Sequence, residues 1–362
     1  MSWLLAFLGF AALIVLHEFG HFAVAKAVGM RVERFSLFFP PILGRIRRGE
    51  TEYAVGAVPL GGYVRITGMN PHEEIPPDVA HRAYFRQPVW KRIAVIVAGP
   101  VVNIVLAFAI LWGLFMTVDG GQIVKQINTI AEVEPGSPAS EALRPGDVIV
   151  AVDGERAAPG RLIYQLRQHG CAGAEVAGCR AAEPAEVTIS RDGRERTFEL
   201  RPFYDADPDI RAMRLGFAFE NESKPITPVN AAAAGGEQMW TVTSTTVTKI
   251  VRIFDPEDRK ELSSVVGGYE TARQAIKLDG RAALYVLALI SLSLGVINLF
   301  PFLPLDGGHI FWALAEKVSG RRIPVAVMER AGVIGFALVM VLFFVGLNND
   351  IARLQGEGFS LR

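Results

Sequence analysis

The sequence predicts a polytopic α-helical membrane protein of about four spans, carrying one water-exposed domain between the second and third. Three observations predict it. Of 362 residues, 51% are hydrophobic and the mean hydropathy is +0.30, yet 37 basic and 37 acidic residues make the chain too charged to lie wholly in lipid. Four apolar stretches approach or exceed the roughly 20 residues that a bilayer crossing needs. Between the second and third of them lie roughly 160 residues of soluble character. The formal net charge of zero offers no footprint for nucleic acid, and two cysteines, Cys171 and Cys179, exclude a Cys-rich metal cluster.

The first span, 1–28, contains HEFGH: His17, Glu18 and His21. An ionisable side chain at mid-bilayer costs about 2.5 kcal/mol or more, so three within five residues require a protein interior and something to hold. On a helix His17 and His21, four positions apart, project from one face. Glu18 is turned by about 100° and reaches a water on a metal held by the two histidines. This is the pattern of a zinc hydrolase. A cleaved signal peptide is the competing reading, with Ala23-Val24-Ala25 as its cleavage site, but the stretch has no basic n-region and a histidine-glutamate cluster is foreign to an h-region.

The segment 29–92 carries ten basic residues from Arg31 to Arg92, and the link 307–330 carries four, Lys317, Arg321, Arg322 and Arg330. Alternation of the spans puts both on one side, and the excess of Lys and Arg makes that side cytoplasmic. The second span covers 93–118, the third 282–306, the fourth 331–348, with a tail at 349–362. The N-terminus, the middle segment and the tail then lie outside. The inner (plasma) membrane is the expected location.

In the outside segment, Pro138 to Leu143 reads as a short helix, Pro145-Gly146-Asp147 as a turn, Val148 to Val152 as a short buried strand and Asp153-Gly154 as a tight turn. The stretch EVEPGSPASEALRPGDVIVAVDGERA resembles a PDZ domain of the bacterial protease type, here 119–222. That likeness implies a small β-barrel-like fold whose groove takes an extended peptide by strand addition. Leu215-Gly216-Phe217 resembles a carboxylate-binding loop, and an interior strand fits it equally well. Cys171 and Cys179 read either as a bridge closing a small loop in an oxidising compartment or as two free thiols. The stretch 223–281 reads as an extracytoplasmic amphipathic linker along the outer membrane surface, broken at Asp255-Pro256-Glu257-Asp258.

The third span ends in INLFPFLPLDGGH. Pro301 and Pro304 break the helix, and irregular backbone at membrane depth marks a protein-lined cavity. Asp306 there is either a metal ligand or an ion-coupling group, and HEFGH elsewhere in the chain favours the ligand. A zinc site with two histidines needs one more protein donor.

HEFGH in a first span, VAGPVVNIVLAF in a second and NLFPFLPLDGG in a third together resemble the site-2 protease family of intramembrane zinc metalloproteases, in its bacterial PDZ-containing branch. PLGGYV at 59–64 and FRQPVWKRIAVIVAGP resemble it too, so the likeness covers nearly the whole chain. It implies Zn2+ held by His17, His21 and Asp306, Glu18 as catalytic base, and Asn298 as a substrate-backbone or oxyanion contact. It also implies a cytoplasmic β-hairpin within 29–92 whose Gly61 and Gly62 hold unwound substrate, although turn geometry alone accounts for glycine there. Asn103 matches another recurring position, for which packing between spans is the competing account. The implied reaction is peptide hydrolysis within single-span transmembrane proteins, such as an anti-sigma factor or remnant signal peptides. Implied partners are these substrates, a PDZ ligand peptide and the lipid bilayer. Two departures stand out: there is room for one PDZ domain where relatives often have two, and Ser263 to Gly268 lacks an expected proline. Rival classes are an inactive PDZ scaffold, which would be free to lose Glu18, and an ion-coupled transporter, which four spans without an inverted repeat fit poorly.

Overall fold

A computed structural model of the chain describes residues 2–70, 73–118, 121–156, 158–174, 176–207, 210–252, 259, 262–321 and 323–355. The chain forms two compact units, one built from 1–117 and 227–362, the other from 118–226.

In the first unit, four helices are long and apolar enough to cross a membrane: α1 (Ser2–Ala27), α2 (Val89–Met116), α6 (Gly280–Asn298) and α8 (Val325–Gln355). Leu4, Leu5 and Leu8 of α1 and Val333, Ile334 and Phe336 of α8 are exposed, as lipid-facing residues must be in a chain with no water to hide from. The interfaces between these helices use small residues, which let backbones approach. A side chain at Gly20 of α1 would meet the Ala98 carbonyl of α2 at 2.6 Å, and one at Gly295 of α6 would meet the Pro100 carbonyl at 3.0 Å. Ser291 of α6 donates to the Asn103 backbone oxygen at 2.9 Å. Asn103 itself is fully buried there, with neither side-chain polar atom paired among the described residues.

Among the described residues this unit holds three further α-helices: α4 (Pro228–Val251), α5 (Val265–Leu278) and α7 (Asp306–Ser319). Thr227 caps α4 by accepting from the Asn230 amide at 3.1 Å, and Asp279 caps α6 by accepting from Ala282 at 2.7 Å. The stretch expected as a surface linker thus holds two helices with packed faces. Met239 and Val242 of α4 lie against a cluster of Ala107, Leu292 and Val296, and Tyr269 and Ile276 of α5 pack on a cluster that includes Ala6 and Val286. The expected break at residues 255–258 lies outside the described residues. Asp350 of α8, wholly buried, accepts from the Ser264 and Gly267 amides and from the Ser263 and Ser264 hydroxyls at 2.6–2.9 Å, which ties α8 to the start of α5.

Between α1 and α2 runs a hairpin of β1 (Val32–Arg48) and β2 (Thr51–Ile66). The two strands pair antiparallel and fold back, so that residues 34–37 lie between 62–65 on one side and 52–55 on the other. The outer strand, 61–66, is thereby an edge. Met30, Val32, Ile66 and Tyr84 join Ala25 of α1 and Val95 and Ile96 of α2 in one core, which seats the hairpin against both helices.

The second unit is an antiparallel sheet in the order β10 (Phe217–Pro225), β3 (Gln122–Val133), β4 (Val148–Val152), β6 (Ala185–Arg191), β7 (Arg194–Leu200), with β5 (Glu155–Arg156) beside β4. Among the described residues the unit also holds a separate pair, β8 (Phe203–Asp205) with β9 (Ala212–Arg214), one α-helix, α3 (Pro159–Arg167), and a 3-10 turn at Pro138–Glu141 where the sequence predicts a short helix. Ile130, Ile149, Val152, Leu162, Val187, Ile189 and Leu215 fill its core. The Asp153-Gly154 turn has positive φ at both residues, 50° and 75°. Leu215 is buried, and its carbonyl accepts from Ala139 at 2.9 Å, so the interior reading suits it. Cys171 and Cys179 are joined in a disulfide.

Candidate metal centre

His17 and His21 stand one turn apart on α1, both buried, with ring centroids 4.9 Å apart. The loop after α6 turns back through hydrogen bonds from Phe302 to the Phe300 carbonyl and from Leu305 to the Phe302 carbonyl, both 2.8 Å, and delivers Asp306 as the first residue of α7. The double glycine that follows is a packing necessity: a side chain on Gly308 would meet the Leu303 nitrogen at 2.5 Å, and one on Gly307 would strike the Leu299 and Phe300 carbonyls.

These elements bring three donor atoms together. His17 Nε2 lies 3.2 Å and His21 Nε2 3.3 Å from Asp306 Oδ2, and the two ring nitrogens are 3.3 Å from each other. Donors bound at about 2.0–2.1 Å to a tetrahedral zinc are separated by about 3.3 Å, so the triangle has the size of one face of such a site. The tautomer also fits. His21 Nδ1–H donates to the Val95 carbonyl at 2.8 Å, which leaves the Nε2 lone pair directed at the other two donors. Two imidazole lone pairs and a carboxylate oxygen in mutual contact are a donor set that calls for a cation between them.

Glu18, half-buried, takes the neighbouring position. Its carboxylate is contacted by the Val64 backbone amide of the β2 edge, and a side chain on Gly62 would meet Glu18 Cγ at 3.0 Å. Of the two hairpin glycines, then, Gly62 lies against Glu18, whereas Gly61 lies under the Phe39 ring, 2.7 Å from where its Cβ would be. Asn298 ends α6, and its amide donates back to Leu294 at 3.0 Å. It stands at the head of the loop that carries Asp306.

Two residues that sequence reasoning did not single out shape this centre. A side chain on Gly99 of α2 would collide with both imidazoles, meeting His17 Nε2 at 2.9 Å. Val95, one turn earlier, supplies the carbonyl that orients His21. The signal for Gly99 was the Gly99-Pro100 pair inside an apolar helix, which marks a departure from regular packing, whereas the carbonyl that Pro100 frees is that of Ile96 and nothing in the sequence pointed to Val95.

The model of peptidase family M50 matches residues 5–342. The chain belongs to peptidase family M50. Similar proteins that match over most of the chain are named, provisionally, as zinc metalloproteases: one from Brucella suis, 31% identical over 93% of this chain and 92% of its own, one from Clostridium perfringens, 31% identical over 97% and 98%, and one from Campylobacter jejuni, 27% identical over 95% and 92%. Among solved structures, the PDZ domain of an SdrC-like protein from Listeria monocytogenes covers 27% of this chain and 90% of its own at 12% identity and a TM-score of 0.21. M50 is the site-2 protease family, so the chain is a multi-pass membrane zinc metalloprotease.

Proposed function

We propose that His17, His21 and Asp306 hold the zinc ion, that Glu18 is the general base, and that the enzyme hydrolyses peptide bonds within transmembrane helices of single-span proteins. The observation that carries this is the 3.2–3.3 Å triangle of donors drawn from α1 and α7, nearly 300 residues apart in sequence, with Glu18 beside it. When bound, zinc supplies Lewis acidity, which acidifies water to a pKa of about 7 and polarises a carbonyl.

The chain's own groups do the rest. Glu18 takes a proton from the attacking water as its oxygen joins the carbonyl carbon, and returns that proton to the leaving nitrogen as the C–N bond breaks. The Val95 carbonyl holds His21 in one tautomer throughout. The β2 edge, 61–66, offers backbone groups to an unwound substrate segment, and Gly62 lets that edge approach Glu18. Asn298 is suited to contact the substrate backbone or oxyanion.

Substrates on this reading are a membrane-anchored anti-sigma factor or a similar regulator, and remnant signal peptides. The domain layout follows: hairpin and α7 at the cytoplasmic side of an inner membrane, and the unit 118–226, a PDZ domain, outside, where it binds a peptide terminus or excludes untrimmed proteins. The disulfide within that unit supports an oxidising compartment.

The test is paired. His17→Ala should abolish zinc retention, and Glu18→Gln should retain zinc while slowing cleavage of a co-expressed single-span substrate by at least about 100-fold. Undiminished cleavage by the glutamine variant would remove Glu18 from the mechanism.

A further inference from the structure

Arg92 is out of place by composition: a guanidinium only 4% exposed, in the first turns of an apolar helix. Its Nη1 donates to Glu316 Oε2 of α7 at 2.9 Å, and its Nε is buried with no partner among the described residues. Glu316 lies on the same 14-residue helix that begins with Asp306. Tyr84, 3% exposed, packs with Val95 and Ile96 of α2 in the core beside that stretch.

A buried ion pair is a poor stabilising device, because desolvation offsets its attraction and well-packed apolar side chains serve stability as well or better. What such a pair does supply is a fixed register between two elements. Granting that Asp306 is a zinc ligand, as proposed above, we infer that Arg92 and Glu316 are positioning residues for it, fixing the rotation and height of α7 against α2. A carboxylate oxygen stands roughly 5 Å from its helix axis, so a turn of about 10° in α7 moves it by about 0.9 Å, against a tolerance of about 0.2 Å in a metal–ligand distance.

The same stretch of α2 already references the other two donors. Val95 fixes the ring of His21, and Gly99 admits both imidazoles. With Arg92, residues 92–99 form a two-turn template on which α1 presents nitrogen and α7 presents oxygen. Helices distant in sequence are thus aligned on a common rod rather than on each other.

The experiment uses the full chain in detergent, with Arg92→Met, Arg92→Lys, Glu316→Gln and Asp306→Ala. Three readouts are taken: zinc retention against a competing chelator, the visible absorption of the cobalt-substituted protein, and thermal unfolding of the metal-free protein. Arg92→Met, alone and combined with Glu316→Gln, should weaken zinc binding about 10–100-fold and alter the cobalt bands. The double variant, which leaves no charge unpaired, should hold or raise the metal-free unfolding temperature, whereas Glu316→Gln alone strands the buried Arg92 charge and lowers it. Arg92→Lys, which can make the single Nη1–Oε2 contact with its ammonium, should restore affinity to within about threefold. Zinc binding and cobalt bands unchanged in Arg92→Met while Asp306→Ala loses zinc would overturn the positioning role and leave the ligand assignment standing. In the double variant Arg92→Met with Glu316→Gln, a fall in metal-free stability that accounts for the whole loss of affinity would also overturn it. Full zinc retention by Asp306→Ala would instead overturn the ligand assignment, and the positioning role with it.

Discussion

Gly99→Ala separates folding stability from the metal centre, because the two respond to very different extents. In a helix interior alanine is favoured over glycine by about 1 kcal/mol, so away from any contact the substitution stabilises. Here the new methyl would lie 2.7 Å from His21 Cε1 and 2.9 Å from His17 Nε2, where ordinary contact begins at 3.4 Å. The rings must therefore retreat by at least about 0.5–0.7 Å, several times the 0.2 Å within which zinc–ligand distances hold. His21 cannot retreat freely, since its Nδ1 is bonded to Val95 on the same helix as the intruding methyl. The expected result is a loss of zinc affinity exceeding about 100-fold. In the metal-free protein about 1–3 kcal/mol of overpacking is set against about 1 kcal/mol of helix gain, so its unfolding temperature falls only slightly. Zinc by mass spectrometry of the purified protein and differential scanning of the chelated protein read the two effects separately. A Gly99→Ala protein that keeps stoichiometric zinc and full cleavage would refute the reasoning, and with it the geometry of both imidazoles.

Gly62→Ala places a methyl 3.0 Å from Glu18 Cγ and 2.9 Å from the Ser36 carbonyl, so cleavage in membranes should fall at least tenfold (order of magnitude, for a displaced catalytic group) while zinc content stays at the wild-type level. At the hairpin turn, hydrogen bonds from Arg82 and Lys26 hold the Glu50 carboxyl down at about 2, against an ordinary 4.5. Its stabilisation is therefore present above about pH 4.5 and lost as pH falls towards 2, and Glu50→Gln should lower the unfolding temperature at pH 7 while flattening its decline across that window. Replacing Cys171 and Cys179 with serine opens a loop of sequence separation 8, which should cost about 2–3 kcal/mol in the chain-entropy account. Urea unfolding followed by proteolysis within 118–226 reads that loss, and a membrane-impermeant maleimide should label the wild-type pair only after reduction.

What could be read from the chain was local in sequence. HEFGH declares itself because a four-residue spacing sets two imidazoles on one helical face and because polar groups in an apolar run need a reason. LDGG declares itself because two prolines interrupt a span. The four long helices and the Asp153-Gly154 turn are likewise legible from a single window of residues. What was not legible depends on contact between windows. Arg92 reads as one more cytoplasmic charge until Glu316, 224 residues away, is beside it. Gly99 reads as a small residue until the histidines of α1 occupy the place of its absent side chain. The helix DGGHIFWALAEKVS, too short to span, reads as a link, although it brings Asp306 to the two histidines at one end and Glu316 to Arg92 towards the other. In α4 the run of threonine and serine reads as a surface helix, and only the packing of Met239 and Val242 places it among α2 and α6.

If transmembrane helices are the substrates, as proposed above, the edge of β2 gives a reason why the enzyme should select them by their helical weakness. Residues 61–66 pair on one side with 32–37, and among the described residues no strand covers the other side. In water an open edge is cheap, but in lipid each unpaired backbone group costs several kcal/mol. Although the hairpin enters from the cytoplasmic side, its edge reaches Glu18 within the first long apolar helix, where a pairing partner relieves that cost. One of its amides, that of Val64, meets the Glu18 carboxylate. A substrate helix meets the opposite condition: its amides are satisfied internally, and it must break those bonds before it can pair. Exchange of helical bonds for edge bonds is then nearly neutral in number, and the balance turns on what unwinding costs locally. Glycine and proline lower that cost, by about 1 kcal/mol and about 3 kcal/mol per residue relative to alanine. Introducing one such residue near the scissile bond should raise cleavage by the corresponding factor of five or more, and removing them should make a good substrate inert without any change in its side-chain contacts.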